Sequence, residues 1–291
     1  MSVLLYYLII KPLSLLPMWC LHRVSDLIFL ITYYTIPYRK KLVIKNLTNS
    51  FPQKNEKEIR QITRQFYRHF CDIIVESIKL FSISDAEALR RCTPTGTEIL
   101  HRLHAEGKSA VIISGHYNNW ELAVLRFKPL VPHRVIGIYS PLANVFFDKK
   151  IQKSRTKFGL ELLSVKKVKE TFEALKDEHV IMVFGSDQSP SRTSKSYYWT
   201  HFLHQDTAVF YGAEKYARAY NLPVIFARIH KVKRGYYRFE LELIEENPAN
   251  TKHGEITEKH VRLLEQQICE QPQYWLWTHN RWKIKKEKSP S

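Results

Sequence analysis

The sequence predicts an α/β fold: a single domain with a mixed, mostly parallel central sheet flanked by helices, plus an N-terminal hydrophobic helical membrane region. Three observations predict it. Short β-rich apolar runs alternate with helical stretches through the second half of the chain. The 291 residues are 44% hydrophobic with only 9 Gly and 13 Pro, enough to bury a sizeable core and unlike a disordered or fibrous chain. No internal repeat or flexible linker divides the alternating part. The expected organisation is a membrane-attachment region at 1–36, one α/β domain at 37–285, and an unstructured basic tail at 286–291.

Residues 1–36, "MSVLLYYLIIKPLSLLPMWCLHRVSDLIFLITYYTI", are the most apolar part of the chain. A clean transmembrane helix needs about 18 consecutive apolar residues. Lys11, Pro12, Pro17, His22, Arg23 and Asp26 interrupt this one. The segment also lacks the charged start and small-residue cleavage site of a secretory signal, so it is kept as part of the protein. Three arrangements stay open: one span from Val3 to about Leu21, two amphipathic helices lying in the interface with Trp19 and the tyrosines at headgroup level, or a hydrophobic helix packed on the protein's own core. Arg39, Lys40 and Lys41 follow, where an anionic leaflet would attract them.

Residues 54–81, "KNEKEIRQITRQFYRHFCDIIVESIKLF", place Ile59, Ile62, Phe66, Phe70, Ile73, Ile74 and Ile78 at helical spacing, with a polar opposite face. The strand candidates are "AVIIS" (110–114), "RVIGIYS" (134–140), "VIMVF" (180–184), "PVIFARI" (223–229) and "YYRFELELI" (236–244). Between them "NVFFDKKIQKSRTKFG", "KKVKETFEALKDE" and "TAVFYGAEKYARAYN" carry helical periodicity.

A net charge of +17, from 45 basic and 28 acidic residues, points to an anionic partner: nucleic acid, an acidic lipid surface or an acidic carrier protein. Cys20, Cys71, Cys92 and Cys269 are scattered and read as reduced thiols rather than a disulfide framework. The thirteen histidines form no HExxH pair, so neither a metal nor a cofactor is expected.

The segment "SGHYNNWE" (114–121) follows the first strand candidate and sets His116 five positions before Glu121. On one helix that spacing would put the side chains about 140° apart. A tight turn between strand and helix, with an Asn cap at the helix start, brings them back within reach. In one reading Glu121 holds a ring nitrogen of His116 and the other nitrogen takes a proton from a hydroxyl. In the other, Glu121 completes a capping box and His116 is a satisfied core histidine. Functional groups gather at the carboxyl ends of strands in such sheets.

The blocks around this motif decide. "YRKKLVIKNLTNSFP" (38–52), "FYRHFCDIIVESIK", the His116/Glu121 block, "IYSPLANVFFDKKIQKSRTKFG", "GSDQSPS" (185–191), "NLPVIFARI" and "QYWLWTHNRWK" come in order along the chain. Together they resemble the lipid A biosynthesis (late) acyltransferase family, related to the lysophospholipid and glycerolipid acyltransferases, over about residues 15–285. The sequence departs from the glycerolipid pattern at "FGSDQSPSR", where those enzymes carry Phe-x-Glu-Gly-Thr-Arg, so glycerol-phosphate recognition is not supported.

The resemblance implies a His116/Glu121 dyad moving a fatty acyl chain from a thioester, on acyl carrier protein or coenzyme A, to a hydroxyl of a lipid A precursor or similar saccharide lipid. Arg155, Asp187, Gln188 and Arg192 are the expected acceptor-side residues. It also implies attachment to the cell inner membrane with the active site on the cytoplasmic side, an anionic membrane lipid as acceptor, and no nucleic acid. With no Gly-x-Ser-x-Gly elbow, no covalent acyl-enzyme is required. "KKVKETFEALK" (166–176) and "HKVKRGYYR" (230–238) are candidate docking patches. A different lipid acceptor, such as a lysophospholipid or aminolipid, stays open. So does a rival without catalysis: a membrane-tethered nucleic-acid binder using Trp275, Trp277, His279, Arg281 and Trp282.

Overall fold

The computed structural model describes residues 1–128, 131–175, 178–191 and 196–286. Arg192 and the last five residues of the expected tail lie outside them.

Apolar runs buried on both faces form the middle of the sheet: β2 (Ala110–Ser114), β3 (Arg134–Tyr139), β5 (Val180–Gly185) and the start of β8 (Val224–Lys233). With β1 (Cys92–Thr95), β4 (Glu161–Ser164) and β9 (Tyr236–Glu245) they make seven strands in the order β1-β9-β8-β2-β5-β3-β4. Every neighbouring pair is parallel except β8 with β9, so the sheet is mixed and mostly parallel. A two-stranded antiparallel hairpin, β6 (Tyr197–Phe202) and β7 (Gln205–Phe210), stands apart from it.

Alternation along the strands supplies two faces. Ile112, Val135, Ile181, Val183, Ile225 and Phe239 pack one way, against helices that contribute Ile73, Leu103 and Leu122. Val111, Ile113 and Val224 pack the other way with Ala213, Ala217 and Ile256. A third cluster joins Leu47, Phe66 and Leu264 to Phe202 of the hairpin and to Trp275, Trp277 and Trp282.

The long amphipathic helix is Glu56–Lys79. Asn55 caps it, accepting from the Glu58 amide, while the Glu58 carboxylate accepts from the Asn55 amide. Its buried face carries the N-terminal region. Helical residues 18–35 lay Met18, Leu21, Ser25 and Phe29 inward, spaced about one turn apart. Ser25 donates to Asp72 at 2.8 Å, and His22 Nε2 meets Glu76 at 3.1 Å.

The outer face is bare: Leu4, Leu8, Trp19, Leu27, Leu30 and Tyr34 are exposed. The run expected as one span, Val3 to about Leu21, is broken at Leu16–Pro17, where both residues are extended. Among the described residues no helix is long and apolar enough to cross a membrane.

Candidate functional site

Two neighbouring parallel strands set the site. In the β2–β5 register Ser114 faces Gly185, so the residues leaving the two strands emerge side by side at their carboxyl ends. The Ser186 amide donates to the Ser114 carbonyl and extends the pairing by one step. His116 then stands beside Asp187. Their separation is 2.6 Å from Nδ1 to Oδ1, and the His116 backbone amide donates to Oδ2 at 2.7 Å. Trp275 Nε1 gives Oδ2 a third donor at 2.8 Å.

Such a close approach leaves no room for a side chain at Gly115. A Cβ there would lie 2.8 Å from Leu264 Cδ1 and 3.3 Å from Asp187 Oδ2. Asn118 makes the turn with φ of +53°, anchored by its side-chain donation to the Ile229 carbonyl. Asn119, not Asn118, caps the short helix Trp120–Val124, accepting from the Leu122 amide.

Electrostatics follow from burial and these contacts. Burial would raise the Asp187 carboxyl, but the imidazole's charge and the three donors override it and hold the acid down at about 2. Burial pushes the His116 imidazole down, yet the Asp187 charge and hydrogen bond, with the Glu121 charge added, leave it above its ordinary value. An anionic Asp187 on Nδ1 keeps the proton there and leaves Nε2 as the open acceptor. The Gln188 amide nitrogen lies 3.2 Å from Nε2.

The structure therefore corrects the expected partnership. Asp187, not Glu121, holds the ring nitrogen of His116. Nor does Glu121 complete a capping box: it binds Arg155 in two-pronged fashion, Nε to Oε2 at 2.8 Å and Nη2 to Oε1 at 2.5 Å. Arg155 reaches it from the helix Val145–Thr156. His116, Glu121 and Arg155 all line one cavity of about 130 Å³, and Asp187 on Nδ1 and Gln188 at Nε2 flank the imidazole. The cavity runs inward over Val124, Phe127, Leu162, Val183, Ile229 and Phe239, and Gly137 and Ala227 make room for it. It is an apolar slot with a titratable imidazole at its mouth.

Several supporting residues escaped the sequence reading of the site. Trp275 holds Asp187, and His279 Nε2 accepts from the Ser189 amide, fixing the loop after β5. Glu76 is 2% exposed and accepts from Asn119 and Tyr237, each at 2.7 Å. The C-terminal aromatic signature hinted at the first two; nothing in the sequence pointed to Glu76. Of the residues named for a nucleic-acid platform, Trp275, Trp277, Arg281 and Trp282 are buried in the core of this end of the protein. Lys231 and Arg234 of the second docking patch pair with Asp72, whereas Lys166, Lys167 and Lys169 of the first are exposed. Among the described residues no group of three His, Cys, Asp or Glu side chains is placed to hold a metal ion.

Comparison with known proteins gives the slot and its imidazole a context. Residues 1–284 match the family described as bacterial lipid A biosynthesis acyltransferase. The chain is also 22% identical over 254 residues to the lipid A biosynthesis lauroyltransferase of Escherichia coli (strain K12), covering 87% of this chain and 82% of that one. A match over nearly the whole length shows that the chain belongs to the bacterial lipid A biosynthesis acyltransferase family and is an acyltransferase enzyme.

Proposed function

We propose that this enzyme transfers a fatty acyl chain from a thioester, on acyl carrier protein or coenzyme A, to a hydroxyl of a lipid A-like saccharide lipid. The observation that carries the reading is the His116–Asp187 pair at an apolar cavity of about 130 Å³, with only the Gln188 amide on Nε2. The donor's chain lies in that cavity with its carbonyl beside Nε2. The acceptor hydroxyl gives its proton to Nε2 as its oxygen attacks the carbonyl carbon. The tetrahedral intermediate then collapses, and the leaving thiolate takes the proton back from the imidazolium. Asp187 steadies the positive ring, as an orienting carboxylate does in hydrolytic triads.

Glu121 enters this scheme through Arg155. It fixes the guanidinium at the cavity wall and adds negative charge near the imidazolium. The Gln188 amide donates to Nε2 in the resting site; once a hydroxyl occupies Nε2, that amide turns to the developing oxyanion, with Arg155 as a second donor.

The bared apolar faces of helical residues 2–15 and 18–35 support attachment by lying in the bilayer interface, on the cytoplasmic side of the inner membrane. Their inner faces stay docked on Glu56–Lys79. The basic surface, including Lys166, Lys167 and Lys169, meets the acidic carrier and lipid phosphates.

Lipid mass spectrometry of cells with and without this protein tests the reading. Loss of the protein should leave a saccharide lipid lighter by one acyl chain. An unchanged saccharide-lipid profile with a changed phospholipid profile would move the acceptor to another lipid class.

A further inference from the structure

The Glu121–Arg155 pair walls two cavities, not one. Both residues line the slot beside His116, and both line a second cavity of about 200 Å³. The second is apolar, formed by Ile10, Ile78, Leu80, Phe81, Phe147 and Ile151. It opens beside helical residues 2–15, where Ile10 lines it and Tyr6 packs edge-on against Phe81 and Phe146 at ring-centroid distances of 5.4 and 5.7 Å. The outer side of that helix bares Leu4 and Leu8. Around the cavity, the helix Val145–Thr156 exposes Lys149 and Lys153, and Lys150 bonds the Tyr7 hydroxyl at 2.9 Å.

Direct transfer needs two apolar substrates to meet at one nitrogen and diverge from it. One narrow slot cannot hold both chains. We propose that the second cavity binds an acyl chain of the lipid acceptor, while the slot beside His116 holds the chain of the donor. The bidentate pair keeps the two chains apart and places the acceptor hydroxyl next to Nε2. The acceptor's chain enters under the bared N-terminal helix, from the side where a lipid surface would lie, and the exposed lysines receive its anionic headgroup. The assignment rests on the transferase reading above and adds to it a distinct site for the second substrate.

Steady-state kinetics with both substrates varied tests it. Ile151→Trp and Ile78→Phe fill the cavity, and Phe147→Ala enlarges it. The filling variants should raise the acceptor KM, by about fourfold for every methylene no longer buried, and leave the donor KM as it is. Phe147→Ala should shift preference toward acceptors with a bulkier chain. A rise in donor KM with an unchanged acceptor KM would give the cavity to the donor and overturn the proposal. Unchanged values for both substrates in folded protein would overturn it as well.

A readout independent of turnover uses the wild-type enzyme and a phosphorylated acyl-disaccharide carrying a diazirine at its chain end. Photolysis should label the peptide containing Phe147 and Ile151. Labelling confined to the peptides of Phe127 and Phe239 would place the acceptor chain in the first slot instead. If the probe labels Phe147 and Ile151 but no acyl chain is ever transferred to it, the transferase reading falls and the lipid-chain site stands.

Discussion

Asp187→Asn separates the two carboxylates that surround His116. The substitution keeps the shape and removes the charge that holds Nδ1 protonated. Asp187 accepts from the imidazole at 2.6 Å, from the His116 amide at 2.7 Å and from Trp275 at 2.8 Å, so an amide in its place must turn an N–H toward at least one donor. One charge-assisted hydrogen bond of about 1.5–3 kcal/mol corresponds to roughly 10–150-fold. Loss of the correct tautomer adds to that, and in hydrolytic triads the same exchange costs up to ~10⁴ in kcat. The expected loss is therefore ~10²–10⁴ in kcat, with little change in acceptor KM.

The pH profile supplies a second readout. A general base must be neutral, and His116 sits above its ordinary value because of Asp187. Wild-type kcat/KM should accordingly fall as pH drops through a value above ~6.5. In Asp187→Asn the support is gone, burial dominates, and that acid limb should move to lower pH. Glu121→Gln should move it less, because the Glu121 charge is the smaller contribution and the carboxylate faces Arg155. An unmoved limb and near-normal kcat in Asp187→Asn, with collapse in Glu121→Gln, would refute the assignment and return the ring to Glu121.

Three further expectations follow from the same geometry. Gly137→Ala should shift the donor preference toward shorter chains, at about fourfold in kcat/KM per excluded methylene; a Cβ there meets Leu162 Cδ2 at 3.4 Å, an ordinary contact, so unfolding is not expected and thermal melting checks this. Leu8→Asp with Trp19→Asp, at positions 70% and 69% exposed, should lower partition onto anionic vesicles by at least ~10²-fold without loss of melting temperature, read by sedimentation. Arg155→Ala should cost roughly ten- to a hundredfold in kcat/KM, and Arg155→Lys should recover only part, since the planar fork that grips both Glu121 oxygens is lost.

Much of the fold was legible because buried parallel strands are continuous apolar runs. β2 occupies 110–114 as read, and β3, β5, β8 and β9 start within a residue of their expected positions. The missed strands carry no such signal. β1 reads "CTPT", with a proline at the sheet edge, and β4 is an edge strand with no fully buried residue. "TAVFYGAEKYARAYN" read as helix throughout, yet Thr207–Phe210 is strand and the helix begins at Gly212. Its hairpin turn places Leu203 and His204 at φ of +50° and +61°, without the Asn or Gly that marks such turns.

The site was half legible for a related reason. His116 at a strand end could be read from its neighbours. The carboxylate on its ring could not, because Asp187 arrives through the adjacency of β2 and β5, and sequence spacing says nothing of which strands pair. Glu121 was the nearer candidate along the chain and proved to be held by an arginine from the helix Val145–Thr156.

The role of His116 as the base is measured by following acyl transfer by mass spectrometry, using purified full-length enzyme, an acyl thioester and a phosphorylated saccharide lipid. Wild-type protein should yield a product heavier by one acyl chain. His116→Ala, with an unchanged melting temperature, should form that product at least ~10²-fold more slowly. Product formation at a near wild-type rate by His116→Ala would mean that His116 is not the base.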